Sequence, residues 1–138
     1  VKAKRLKCFT RYFVDQYNGD SSRMKKISTE VLRKELLSIN GIGPETADSI
    51  LLYALGKPSF VIDAYTKRIF SRHGHLSQTT QYDEMKEYFE TFFNPLNAKQ
   101  KTKRFNEYHA LIVETGKKFC KPKARCDACP LNIFPHQI

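Results

Sequence analysis

No stretch of these 138 residues is long and apolar enough to read as a membrane span, and the opening residues lack the pattern of a signal peptide. Membrane insertion and export are not indicated, and the expected location is cytoplasmic. Acidic side chains are scarce, with 14 Asp and Glu against 24 Lys and Arg, which leaves a net charge of +10. That excess points to a polyanionic partner, most simply nucleic acid; a basic surface without any partner is the plainer alternative. Cysteine is scarce too, and unevenly spread: Cys8 stands alone, while Cys120, Cys126 and Cys129 crowd the C-terminus. Nothing else suggests a secreted disulfide scaffold, so this crowding reads as a metal site rather than as cross-links. Paired strand patterns and internal repeats are missing as well. With 41% apolar residues, a chain of one-domain size can bury a real core and is not wholly disordered.

What the sequence does have is helical periodicity. Leu6, Phe9, Phe13 and Tyr17 recur at helical spacing, and Asn18-Gly19 stops that segment. Ser28 or Thr29 caps a second helix, with Glu30 in its first turn and Val31, Leu32, Leu36 and Ile39 on its apolar side. A third helix starts at Pro44, turns Ala47, Ile50, Leu51 and Ala54 inward, and ends at Gly56 and Pro58. A short apolar run, residues 60 to 62, leads to Asp63, which caps a fourth helix carrying Tyr65, Ile69 and Phe70 and ending near Gly74. Met85, Phe89 and Phe92 mark a fifth. Asn97 and Gln100 have capping-box spacing for a sixth, which runs through Phe105, Tyr108, Leu111 and Ile112 to Gly116. The expected fold class is all-α.

Between the second and third helices lies INGIGPETAD. A helix, a tight Gly-x-Gly turn at residues 40 to 44 and a second helix entered through Pro44 make a helix-hairpin-helix pattern, spanning about residues 29 to 56. Gly41 and Gly43, with Ile42 between them, let a phosphate backbone come close. The N–H groups of Glu45 and Thr46 open the next helix toward the same spot. Such contacts position DNA but read no sequence. On the turn alone, an ordinary helical hairpin whose glycines merely make the bend would look the same. Asp63, after Val61-Ile62 and before a helix, accepts hydrogen bonds from free N–H groups, which favours its ionised form.

The stretch LLSINGIGPETADSILLYALGKPSFVIDAYTKRIFSR, followed by EYHALIVETGKKFC and a cysteine loop, resembles the endonuclease III family of helix-hairpin-helix DNA glycosylases. The wording of GIGPETAD and VIDAYT leans toward the branch that resembles 3-methyladenine DNA glycosylases. The resemblance implies a base-excision-repair enzyme that takes a damaged base out of double-stranded DNA and cleaves its N-glycosidic bond. Asp63 matches the family's catalytic aspartate, a carboxylate that stabilises positive charge on the sugar and helps to deprotonate the attacking water. Glu45 stands where bifunctional members carry a lysine that forms a Schiff base with the sugar. A carboxylate cannot form an imine, so the expectation is a monofunctional enzyme that hydrolyses the bond to an alkylated base, already a good leaving group. A bifunctional glycosylase and AP lyase using another lysine, and a non-catalytic DNA-binding module, are the alternatives.

The family also holds a 4Fe-4S cluster in a C-x6-C-x2-C loop with a fourth cysteine six positions further on. Here Cys120, Cys126 and Cys129 follow C-x5-C-x2-C, and Pro135 occupies the fourth position. His136 is a candidate replacement ligand; a 4Fe-4S cluster, a smaller cluster, a zinc ion and a metal-free loop all stay open. Lys117, Lys118, Lys121, Lys123 and Arg125 flank the loop and would meet phosphates. By the same resemblance, residues 1–57 correspond to part of a six-helix lobe. Residues 58–138 correspond to part of a second lobe, ending in the cysteine loop at 120–138. The chain thus reads as a C-terminal fragment of a two-lobed enzyme, expected to self-associate through apolar surface that further helices would cover. Cys8 is expected as a buried structural thiol, His109 as a packed or capping residue and Tyr65 as a core residue.

Overall fold

The capping residues fix where the helices start. In the computed structural model, which describes residues 1 to 138, Ser28 accepts a hydrogen bond from the Val31 N–H at 3.3 Å, and Asp63 accepts one from the Thr66 N–H at 2.7 Å. Asn97 and Gln100 bond reciprocally, as a capping box should. The elements are α1 (Lys2–Tyr17), α2 (Ser21–Lys25), α3 (Thr29–Ser38), α4 (Pro44–Ser49), α5 (Ala64–Arg72), α6 (Tyr82–Thr91) and α7 (Ala98–Lys118). α4 runs directly into a π-helical turn, Ile50–Ala54, and a 3-10 turn, Cys126–Ala128, lies near the C-terminus. There are no strands, so the protein is all-α. α2 was not legible in the apolar pattern; Asp20 starts it by accepting from the Ser22 N–H. No helix is long and apolar enough to cross a membrane. The chain forms two compact units, Val1–Ser59 and Phe60–Ile138.

In the first unit, Tyr17, Met24, Leu32, Leu36, Ile39, Ala47, Leu51 and Leu55 form the core. α1 contributes to it from Cys8 onward, so Leu6, expected inside, is exposed; Val31 is about half exposed on the outer flank of α3. Tyr12 and Tyr17 both donate to Glu35 Oε2 at 2.6 Å and so tie α1 to α3. Burial first, then the bond to Glu35, push the Tyr12 phenol far above its usual range. The buried charge of this unit is Asp48. It accepts from Arg33 Nε at 2.8 Å and Nη2 at 3.1 Å, and from Ser59 Oγ at 2.6 Å.

The π-helical turn overturns one expectation. Leu55 N–H donates to the Ile50 carbonyl, five residues back, at 3.1 Å. The extra residue in the turn rotates everything after it. Leu51, Leu52 and Leu55 are therefore buried, while Ile50 is only partly covered and Ala54, expected inside, faces out.

In the second unit, Phe60 stacks on Phe89 at 4.7 Å and meets the edge of Phe105 at 5.3 Å. Residues 60 to 62 are buried and belong to no helix or strand, so their amides need side-chain partners. α6 supplies them: the Phe60 N–H donates to Glu90 at 2.8 Å and the Ile62 N–H to the Tyr82 hydroxyl at 3.2 Å. Met85 and Phe89 point inward as expected, but Phe92 lies past the end of α6 and is exposed; Phe93 packs on Phe105 at 5.3 Å instead. The buried stripe of α7 is Phe105, His109, Ile112 and Gly116, so Leu111 points to solvent, contrary to expectation.

Asp48 has no exposure and three side-chain bonds, so removing it takes away the carboxylate that the Arg33 guanidinium and the Ser59 hydroxyl donate to inside this unit. Asp48→Ala is expected to cost about 3–5 kcal/mol of stability, read as the loss in a denaturant unfolding experiment. A loss below about 1 kcal/mol would show that the pair is not the anchor of this unit.

Candidate functional site

At the hairpin, Gly41 adopts φ +92°, a left-handed value open to glycine, whereas Gly43 has an ordinary φ of −95°. Their surroundings differ too. A Cβ on Gly41 would sit 2.3 Å from Cγ of Arg5, while one on Gly43 would meet nothing. The bare face of Gly41 is thus filled by the arginine stem of α1, and the open approach belongs to Gly43. No side chain caps α4. Between Gly41 and Ala47, the amides with acceptors in the chain are those of Ile42, bonded to Ile39, and Ala47, bonded to Gly43. The N–H groups of Gly41, Gly43, Glu45 and Thr46 are left for an outside acceptor, and Gly43, Glu45 and Thr46 are exposed. Lys2 and Arg5 line the same open groove as Gly41, Ile42 and Thr46. These two cations were not singled out from the sequence, because α1 carried no motif to connect it with the turn.

Asp63 heads α5. Its Oδ1 accepts from the Thr66 N–H at 2.7 Å and from the Thr66 hydroxyl at 2.8 Å. Its Oδ2 lies 3.4 Å from Nε2 of His109, on α7. Burial would raise the Asp63 carboxyl, but the His109 contact and the two Thr66 bonds outweigh it, so the group sits below the usual carboxylate range. The result is a largely buried carboxylate that stays ionised. Tyr65 is partly buried, with its ring packed against Gly116 and the Arg68 guanidinium 5.3 Å over its face. Cys8 is only partly buried, at the edge of a groove lined by Lys4, Lys7 and Arg11.

The cysteine loop is tied to the far end of α5. Arg68 Nε donates to the Cys120 carbonyl at 2.6 Å. Arg72 donates to Cys120 Sγ at 3.3 Å, to the Lys121 carbonyl at 2.7 Å and to the Pro122 carbonyl at 2.9 Å. Gln137 N–H returns to the Arg72 carbonyl at 2.7 Å, and His73 Nδ1 lies 2.9 Å from the Pro135 carbonyl. Cys120, Cys126, Cys129 and His136 line one cavity of about 20 Å³, room for roughly one water.

A helix-hairpin-helix motif profile matches residues 30–53, which spans α3, the turn and α4. A Methanocaldococcus jannaschii protein, named provisionally as a DNA repair glycosylase, is 54% identical over 97% of this chain and 59% of its own length. Endonuclease III of Sulfolobus acidocaldarius is 35% identical over 79% of this chain and 46% of its own. A solved endonuclease III–DNA complex shares the fold at a TM-score of 0.71 and 22% identity, covering 97% of this chain and 56% of that one. The chain is endonuclease III-like. It spans about half the length of the curated relatives it matches.

For an endonuclease III-like chain the question at the loop is whether the donors fit a 4Fe-4S cluster. A cluster takes four thiolates. Here there are three, one of them facing Arg72, and no three His, Cys, Asp or Glu side chains converge to hold a metal ion. His136, proposed from sequence as a replacement ligand, has its Nδ1 2.8 Å from the Phe134 carbonyl, which leaves Nε2 as its one nitrogen for a metal. As arranged, these donors do not fit the cluster or a zinc ion, and no chemistry below runs through either. Arginine bonds to loop carbonyls hold the segment in their place. A chelator is therefore expected to leave the melting temperature unchanged. Arg72→Ala should lower it by a few degrees, for a loss of about 1–3 kcal/mol. Brown, iron-containing protein whose melting temperature falls on chelation would show that metal holds the loop.

Proposed function

We propose that the protein containing this chain is a monofunctional DNA glycosylase that hydrolyses the N-glycosidic bond of a damaged base in double-stranded DNA. The observation that carries this is Asp63, a largely buried carboxylate kept ionised by Thr66 and His109 at the head of α5. Bond cleavage builds positive charge on the deoxyribose, and a fixed negative charge beside the sugar stabilises it more than it stabilises the ground state, in which the sugar is uncharged. The same carboxylate takes a proton from water as it attacks the sugar carbon. Glu45, exposed in the first turn of α4, supplies no amine, so water and not an imine completes the reaction. A hydrolytic route suits a base that leaves readily, and an alkylated purine with its charged ring is the substrate class we assign.

The hairpin supplies the hold on DNA in this proposal. The free amides of Gly43, Glu45 and Thr46 take a phosphate, and Arg5 and Lys2 add charge beside it. These contacts carry no base information and set register alone.

The experiment is Asp63→Asn in the complete protein. Asparagine caps a helix about as well as aspartate, so stability is retained while the charge is lost. Base release from an alkylated-purine duplex is expected to fall by about 10²-fold or more, with DNA affinity within a few fold of the parent. Unchanged release would remove Asp63 from the chemistry. Lack of release by either protein, with DNA binding intact, would favour a binding module. The panel should include oxidised and deaminated bases, and preferred release of one of those would correct the substrate class.

Borohydride gives a second, separate test. The unmodified protein is expected to leave an intact abasic strand and to form no trapped protein–DNA adduct. Efficient trapping, with strand cleavage at the rate of base release, would mean that another lysine supplies the amine.

A further inference from the structure

The two oxygens of Asp63 have separate partners. Oδ1 is committed to Thr66, within α5. Oδ2 is held from a different helix: His109 Nε2 lies 3.4 Å away, and the two side chains are 10% and 12% exposed. His109 sits on the buried stripe of α7, between Phe105 and Ile112, with its ring edge-on to Phe60 at 6.4 Å. Its place on the stripe is not explained by packing alone. An apolar residue would fill it without the cost of burying imidazole nitrogens. The helices come close enough for the pair because Gly116 has no side chain: a Cβ there would lie 2.4 Å from the Tyr65 ring.

We propose that His109 is a positioning residue for Asp63. Its Nε2–H donates to Oδ2, fixes the carboxylate plane and leaves the remaining lone pairs directed at the water and the sugar. Thr66 alone cannot do this, since both of its bonds go to Oδ1 and leave Oδ2 without a donor. Neutral imidazole suffices as the donor, in the tautomer that carries hydrogen on Nε2. His109 is the basic side chain within ion-pair distance of Asp63; no lysine or arginine joins it. The other titratable and charged side chains of α5 near its start, Tyr65, Lys67 and Arg68, make no ion pair or hydrogen bond with the carboxylate.

The proposal rests on Asp63 being the catalytic carboxylate, and the test separates the two. His109→Gln keeps a side-chain N–H donor at nearly the Nε2 position; His109→Leu fills the space without one. Single-turnover base release is measured against pH for both variants in the complete protein, beside DNA affinity and the titration of Asp63 followed by carboxyl carbon NMR. The Gln variant is expected to stay within about 3-fold of the parent rate. The Leu variant should lose about 10-fold or more at neutral pH, with DNA affinity unchanged. The sign of the pH effect is set by the lowered Asp63 carboxyl. Losing the donor raises it toward its ordinary value, so the acid limb of the Leu profile and the NMR titration both move to higher pH. A stability defect alone would move neither.

A folded Leu variant with the parent profile and titration overturns the proposal and leaves Asp63 untouched. Should Leu fail to fold, a folded Gln variant that has lost the rate overturns it equally, because the donor is still present. Full activity of Asp63→Asn would instead undo the assignment of Asp63 itself.

Discussion

The second unit is organised by the close approach of α5 and α7 at Gly116. The Tyr65 ring occupies the space that any side chain at Gly116 would need, with atoms at 2.4 to 2.7 Å from the missing Cβ. A helix is stiff, so one contact of this kind fixes both of its ends. At the N-terminal end it brings Asp63 to His109; at the C-terminal end it brings Arg68 and Arg72 to the carbonyls of the cysteine loop. A side chain at Gly116 would force the helices apart and disturb the carboxylate and the loop together. The carboxylate and the loop are thereby parts of one packing decision, made where neither is visible.

Much of this was written locally in the sequence. Ser28, Asp63 and Asn97 read as caps because a short oxygen-bearing side chain before an apolar-periodic run satisfies the free amides of a first turn, and each does so. The hairpin at residues 40 to 44 was legible for the same reason: its geometry depends on neighbours in the chain. What was not legible depends on residues far apart. His109 read as a packed or capping residue because its partner lies 3.4 Å away in space on another helix. Arg5 filling the face of Gly41, and Arg72 bonding to the loop, have no signature in spacing. The π-helical turn escaped because apolar residues at 50, 51, 52, 54 and 55 satisfy more than one helical register, and only packing selects among them.

Charge is distributed by role. Carboxylates inside the units are held by specific donors: Asp48 by Arg33, Glu35 by two phenols, Asp63 by Thr66 with His109 beside it. The cations of α1, in contrast, stay at the surface, with Lys2 and Arg5 beside the unfilled amides of the hairpin. The net charge of +10 is therefore not a uniform coat. Paired charge serves the fold, and unpaired charge is what an incoming polyanion would meet, with an attraction that weakens as salt rises.

The π-helical turn has a consequence for how this segment tolerates changes in length. Ile50–Ala54 accommodates one residue more than a regular helix would over the same rise. Past it, Leu55 enters the core, Lys57 donates to the Ile27 carbonyl at 2.5 Å, and Ser59 reaches Asp48 at 2.6 Å. Deleting one residue here would restore an ordinary helix and leave these groups where they are, because the wide turn already absorbs the extra residue. Leu55 would keep its place in the core and Ser59 its carboxylate. The turn thus takes up a difference of one residue in length between the hairpin and Ser59, which a regular helix would pass on as a rotation of about 100°.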